Sequence, residues 1–153
     1  MAAAPDASQP IEIRLLQAHE RAVLDRVAPG VFDNPIDPRW RDEFFGDPRH
    51  HLVVALDDGM VVGFVSAVHY VHPDKPAEFW IDEVGVAPSH HRRGIGRRLL
   101  DRALAHGAGL GCVQAWVLTS PGNTAAQRLY TSCGGRAAAE PSVMFEFPLA
   151  DGS

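Results

Sequence analysis

Little in this sequence could hold it together except its own packing. Two cysteines, Cys112 and Cys133, in 153 residues leave no disulfide framework of the kind that staples small secreted domains. No apolar run approaches the ~20 residues of a membrane span, and no signal-peptide core follows Met1. Neither secretion nor a membrane partner is therefore expected, and the cytoplasm is the expected location. Positive charge is also short: 14 basic against 19 acidic residues give a net charge of −5, which argues against a nucleic-acid partner, whose footprint is a basic surface. What is present is 46% hydrophobic and 22% charged residues, the composition of one compact domain. A chain of this length buries roughly 70% of its unfolded surface and needs no staple to fold.

The scarce positive charge is not spread evenly. Arg92, Arg93, Arg97, Arg98 and Arg102 crowd into a dozen residues with Asp101 against them. Such an island suits a polyanionic small molecule, or is a solvated helix face.

Residues 1–10 are small, polar and proline-bearing and read as a disordered leader; residues 11–149 form the expected domain and 150–153 a tail. Ile11, Ile13 and Leu15 alternate as a strand does, and helical spacing from Leu16 to Val27 stops at Pro29-Gly30. A short helix is expected over Trp40 to Phe45. Two strands, His51–Leu56 and Met60–Tyr70, flank Asp58-Gly59, the signal of a tight hairpin. Glu78–Val86 alternates as a further strand. A helix with an apolar face starts near Ile95 and ends among Gly107, Gly109 and Gly111; strand Val113–Leu118, helix Asn123–Ser132 and closing strand Val143–Leu149 follow. The fold class is α/β (α+β), a mixed sheet with helices packed on it.

The densest chemistry lies where strand Glu78–Val86 passes through His91-Arg92-Arg93-Gly94-Ile95-Gly96-Arg97 into a helix. Glycines 94 and 96 let backbone amides close on phosphate oxygens, while the helix start adds unpaired N–H groups and a positive dipole end. The segment lacks the Lys-Ser/Thr ending of a P-loop and is too short for the dinucleotide fingerprint.

This segment resembles the Gln/Arg-x-x-Gly-x-Gly/Ala signature of the Gcn5-related N-acetyltransferases, with His91 in the first position. A second block, Asn123-Thr124-Ala125-Ala126-Gln127-Arg128-Leu129-Tyr130, followed by Gly134-Gly135, is similar to the family's Asn-x-x-Ala-x-x-Leu-Tyr-x-x-x-Gly-Phe, with Gly135 replacing the aromatic. The resemblance covers almost the whole chain. It implies a mainly antiparallel sheet whose fourth strand is splayed, about four flanking helices, a homodimer, and acetyl-coenzyme A as co-substrate with no metal. Val84, Gly85 and Val86 would receive the pantetheine arm, with Gly85 at a strand bulge. His91, Arg92, Arg93, Gly94, Ile95, Gly96 and Arg97 would hold the pyrophosphate, and Asn123 and Ala126 would contact the coenzyme.

Acetyl transfer to an amine needs the neutral amine, so a base must take a proton. Glu83 is the candidate, with Asp82 behind it because strict alternation puts Asp82 on the opposite face. Tyr130 stands where the family has its general acid. The pattern looks most like the small aminoglycoside 3-N-acetyltransferase branch, which implies a small cationic acceptor and an acidic cleft drawing on Asp33, Asn34, Glu78, Asp82 and Glu146. Asp37, Asp42 and Glu43 could add to it. Another polyamine, a protein amine, or a non-catalytic coenzyme sensor remain the alternatives. Adjacent pairs His50-His51 and His90-His91 point apart on a strand and do not suggest zinc.

Overall fold

The computed structural model describes residues 10–151; most of the expected leader, and the last two residues of the expected tail, lie outside them. One five-stranded sheet runs in the order β1-β2-β3-β4-β5. Its strands are β1 (Glu12–Leu15), β2 (His50–Asp57), β3 (Met60–Tyr70), β4 (Glu78–Val86) and β5 (Ala115–Trp116). The first four pair antiparallel and β5 joins β4 in parallel. Around the sheet lie an eight-residue 3₁₀ helix (Ala18–Asp25) and three α-helices: α1 (Pro38–Gly46), α2 (Ile95–Gly109) and α3 (Thr124–Ser132).

Local chemistry sets these boundaries. The β2–β3 turn places Asp58 and Gly59 at φ 48° and 77°, the left-handed pair that a two-residue hairpin needs. In α1, Pro38 occupies the first turn and the Asp37 carboxylate accepts the Arg39 N–H at 2.8 Å, so the start is capped. Helix α2 buries Ile95, Leu99, Leu100 and Ala103 over a sheet whose inner residues include Val53, Val54, Val61, Val62 and Val65, each at most 2% exposed.

Gly107 lies inside α2 rather than at its end because Phe79 needs the room: a Cβ there would stand 2.8 Å from the Phe79 ring. Gly107→Ala is expected to lower unfolding stability by about 1–3 kcal/mol through overpacking, read as a lower urea midpoint with an unchanged slope.

Three expectations change. The stretch after Leu16 winds as a 3₁₀ helix, its entry held by the Gln17 N–H donating to the Glu20 carboxylate at 3.1 Å. Strand Val113–Leu118 shrinks to two residues. The closing strand Val143–Leu149 is absent from the sheet: those residues have no regular structure, and Val143, Phe145, Phe147 and Leu149 are at least 77% exposed. So short a β5 offers little ladder to extend, and Gly134, at φ 91°, turns the chain off α3.

Three histidines from separate elements meet. His51 Nε2 lies 2.7 Å from His69 Nδ1, and His106 Nε2 lies 2.9 Å from His51 Nδ1. Burial, then the neighbouring His106, His69 and His50, pushes His51 down to about 4, and burial followed by Arg102 and His69 also lowers His106. The unfolded chain binds these protons near pH 6.5 and the folded chain resists them. Stability should be flat above about pH 6.5 and fall between there and about 4. The expected loss is about 1–2 kcal/mol after allowing for partial solvent screening, and denaturant midpoints across that range measure it.

Candidate active site

The site begins with a fault in the β3–β4 ladder. Ser66 pairs with Glu83, but the next residue, Ala67, pairs with Ile81. Asp82 is therefore the extra residue of a bulge, and a bulge breaks side-chain alternation. Asp82 does not take the face opposite Glu83: both acids line the same two cavities, which meet at Phe64. The expected bulge at Gly85 is corrected accordingly. Gly85 stays in register opposite Phe64, and it is glycine because a Cβ would stand 2.7 Å from the Val31 carbonyl and 2.8 Å from the Phe64 ring.

The sheet opens at this point. Strand β5 pairs with β4 through Phe79 and Trp80 alone among the described residues, so β4 has no ladder partner on that side from Ile81 onward. A cavity of about 490 Å³ fills the opening, and Glu83, Val84, Gly85, Val86, His91, Asn123 and Tyr130 all line it. Asp33 reaches it on a loop that docks beside the hairpin, where Ala28 donates to the Val61 carbonyl and Val61 to that of Arg26, both at 2.9 Å.

A third cavity, about 480 Å³, continues past Val86 along the start of α2 and is lined by His91, Arg92, Gly94, Ile95, Gly96, Ala126 and Tyr130. Arg92 and Gly94 take φ of 62° and 73°, turning the chain sharply into the helix. The first helical return bond is Arg98 N–H to the Gly94 carbonyl at 3.3 Å, so the amides before it are the unpaired donors of a helix start. They fit a phosphate group. Gly96 faces α3, where a Cβ would make ordinary contact with Leu129 at 3.4 Å. The turn is braced: His90 bridges Ser89 Oγ and Asp57 Oδ2, both at 2.7 Å.

His91 borders both of these cavities and is also tied to β4. Its Nε2 lies 2.9 Å from the Val86 carbonyl, so that nitrogen carries a proton and donates. The basic island divides too. Arg98 donates to the Ile11 carbonyl at 2.9 Å and ties β1 to α2, and Arg97 faces Asp101 at 3.9 Å. Arg92 borders the third cavity, whereas Arg93 and Arg97 border none of these three.

Burial, then the charges of Asp82 and Asp33, raise the Glu83 carboxyl above the ordinary glutamate value, which makes its carboxylate a stronger base. Burial raises the Tyr130 phenol as well, so it keeps its proton. Asn123 caps α3, its Oδ1 accepting the Ala126 N–H at 3.1 Å.

The expected acceptor residues do not all gather here. Glu78 sits at the far end of β4, 2.7 Å from His72 Nε2. Glu146 lies on the exposed C-terminal stretch, and Asn34 borders none of the three cavities. Asp42 is held by Arg21 and Arg41, both at 3.2 Å. Sequence reasoning missed the aromatic wall that α1 brings to the carboxylates, with Trp40, Phe44 and Phe45. Three aromatic residues in so short a predicted helix were its signal. It also missed Ser66, which nothing in a single strand marks.

An opened sheet edge running into a strand–turn–helix with unpaired amides at the helix start has the shape to hold an extended, phosphate-bearing ligand. Residues 18–134 match the acetyltransferase (GNAT) family, and the chain belongs to it. It is 36% identical over 113 residues to L-2,4-diaminobutyric acid acetyltransferase of Streptomyces avermitilis, covering 72% of this chain and 60% of that one. It is also 36% identical over 104 residues to N-alpha-acetyltransferase RimI of Mycobacterium tuberculosis, covering 68% and 63%. The chain thus matches about three fifths of the length of these curated relatives. An aminoglycoside acetyltransferase from an uncultured soil metagenomic sample, solved in complex with sisomicin, superposes at TM-score 0.76 with 18% identity over 92% of this chain and 97% of that one. The aminoglycoside N-acetyltransferase AAC(6')-Iy in complex with CoA does so at 0.70 with 24% identity, over 97% and 100%. These likenesses establish the fold.

Proposed function

We propose that this protein transfers the acetyl group of acetyl-coenzyme A to a primary amine of a small cationic acceptor. The observation that carries the reading is that Glu83 and Tyr130 line one cavity, at the opened edge of β4. Acetyl-coenzyme A supplies a thioester activated for attack. The amides of Gly94, Ile95 and Gly96, with Arg92, suit its pyrophosphate, and Val84 to Val86 suit its pantetheine arm. Glu83 takes a proton from the acceptor ammonium; the amine nitrogen then bonds the acetyl carbon as the carbon–sulfur bond breaks, and the second proton that the nitrogen loses leaves with the sulfur as the coenzyme thiol. Tyr130 donates to the departing sulfur. Both substrates are present at once, since neither Cys112 nor Cys133 borders any of the three cavities, and Cys133 donates to the Arg97 carbonyl at 3.8 Å. Burial also holds both Cys133 and Cys112 above the usual thiol value, which disfavours the thiolate a covalent carrier would need.

The finer expectation was an aminoglycoside acetylated at a 3-amino group. The solved aminoglycoside acetyltransferases share the fold alone, and one of them is an AAC(6') enzyme, so they support neither the 3-amino position nor the acceptor; the displacement of Glu78 and Glu146 weighs against a broadly acidic cleft. We also place the protein in the cytoplasm, where its two free cysteines are at home, and as a homodimer that covers the exposed Val143–Phe147 stretch. No described helix is long and apolar enough to cross a membrane. Thiol release from acetyl-coenzyme A across a panel of amines, with product mass, tests the reading. An acetylated amine supports it; coenzyme binding without transfer to any amine would make the protein a sensor instead.

A further inference from the structure

The cavity on the other side of Asp82 and Glu83 tells what kind of amine fits. It measures about 340 Å³. Its wall is Phe32, Ile36, Trp40, Phe44, Phe45 and Phe64, with Phe32 stacked on Phe64 at 4.1 Å between ring centroids. Its other polar side chains are already engaged. Asp37 caps α1 and faces Arg39, and Arg41 is paired with Asp25 and Asp42 at 3.2 Å each. Ser66 is the exception. It is 91% buried, borders the cavity, and its Oγ finds no hydrogen-bond partner among the described residues.

Ser66 stands opposite Glu83 in the ladder, and Asp82 is the bulge residue next to it. A buried hydroxyl without a partner costs roughly 1–3 kcal/mol, so its place beside two carboxylates calls for a donor. A primary ammonium carries three N–H donors, and these three side chains supply three acceptors. Beyond them the lining is aromatic or aliphatic except for Asp37 and Arg41, which already have partners, so a second ammonium or a ring of sugar hydroxyls would find few free groups to pair with.

We propose that the acceptor is a monoamine on a compact apolar or aromatic body, its ammonium held by Ser66, Asp82 and Glu83 and its body by the aromatic wall. This rests on the acetyltransferase reading and narrows it. Ser66 is a substrate-binding group, and Trp40, 63% exposed, is the outer lip of the pocket.

The test compares 2-phenylethylamine, 1,4-diaminobutane and kanamycin as acceptors, by thiol release and product mass. Expected is a kcat/KM for 2-phenylethylamine at least about tenfold above either polar amine. Ser66→Ala should lower kcat/KM for 2-phenylethylamine about tenfold, and Trp40→Ala should raise its KM, both with the KM for acetyl-coenzyme A unchanged. Turnover of diaminobutane or kanamycin at equal or higher efficiency overturns this inference and leaves the transfer reading standing. Thiol release with none of the three, nor with peptide amines, overturns the transfer reading and the inference with it.

Discussion

Glu83→Gln is expected to lower kcat/KM for the amine about 10²- to 10⁴-fold with little change in acetyl-coenzyme A affinity. An amine of pKa near 10.4 is neutral in only about one molecule in a few thousand at pH 7, so the step that removes its proton governs the rate. Glu83 borders the coenzyme-side cavity and the aromatic cavity together, so a proton lost from an amine on one side has an acceptor facing the other. Burial and the charges of Asp82 and Asp33 raise its carboxyl, which brings it closer to the working pH of a base. The sign is definite. The active form is the carboxylate, so wild-type kcat/KM falls as pH falls through a value above 4.5. Glutamine has no such titration, and the variant's profile should lack that acidic limb. A Glu83→Gln enzyme with wild-type turnover would remove Glu83 as the base. If Asp82→Asn then abolished turnover, the role would pass to the bulge residue.

The parts of the fold that a single segment encodes were legible in the sequence. Asp58-Gly59 fixed the hairpin because it needs only its own backbone angles, and the spacing of Ile95, Leu99 and Ala103 fixed α2 because one helix carries the whole pattern. Gly94 was legible for the same reason: a left-handed turn before a helix shows as a glycine. What depends on register between strands was not. The Asp82 bulge exists because Ser66 faces Glu83 while Ala67 faces Ile81, and strict alternation along β4 alone put Asp82 on the wrong side. Gly85 drew attention as a bulge, but its reason lies 54 residues earlier, in the Val31 carbonyl that crosses it. Acidic residues were legible as charge and not as place: Glu78 and Glu146 count toward an acidic chain, yet one is spent on His72 and the other lies off the sheet. The histidines reversed the lesson. His90 and His91 lie in a turn rather than a strand and border one cavity, and His51 finds His69 and His106 from two other elements.

Tyr130→Phe is expected to cut kcat about 10²-fold, less than the largest losses at Glu83, while acetyl-coenzyme A still binds within a few-fold of wild type. The reason for the smaller effect is in the proton balance. Burial holds the phenol above its ordinary value near 10, which guarantees a proton at neutral pH but makes full transfer to a thiolate of pKa near 8.5 uphill by at least ~2 kcal/mol. Tyr130 therefore helps most as a hydrogen-bond donor while charge builds on sulfur, the moment at which a fixed donor in a partly dry cavity is worth most. Phenylalanine keeps the ring that packs against α3's neighbours and removes only the hydroxyl, so folding should be preserved and circular dichroism should match wild type. Two results would take the role away: a kcat within twofold of wild type, or a fall in coenzyme affinity as large as the fall in kcat. The second would make Tyr130 part of the wall that holds the coenzyme rather than the group that meets its sulfur.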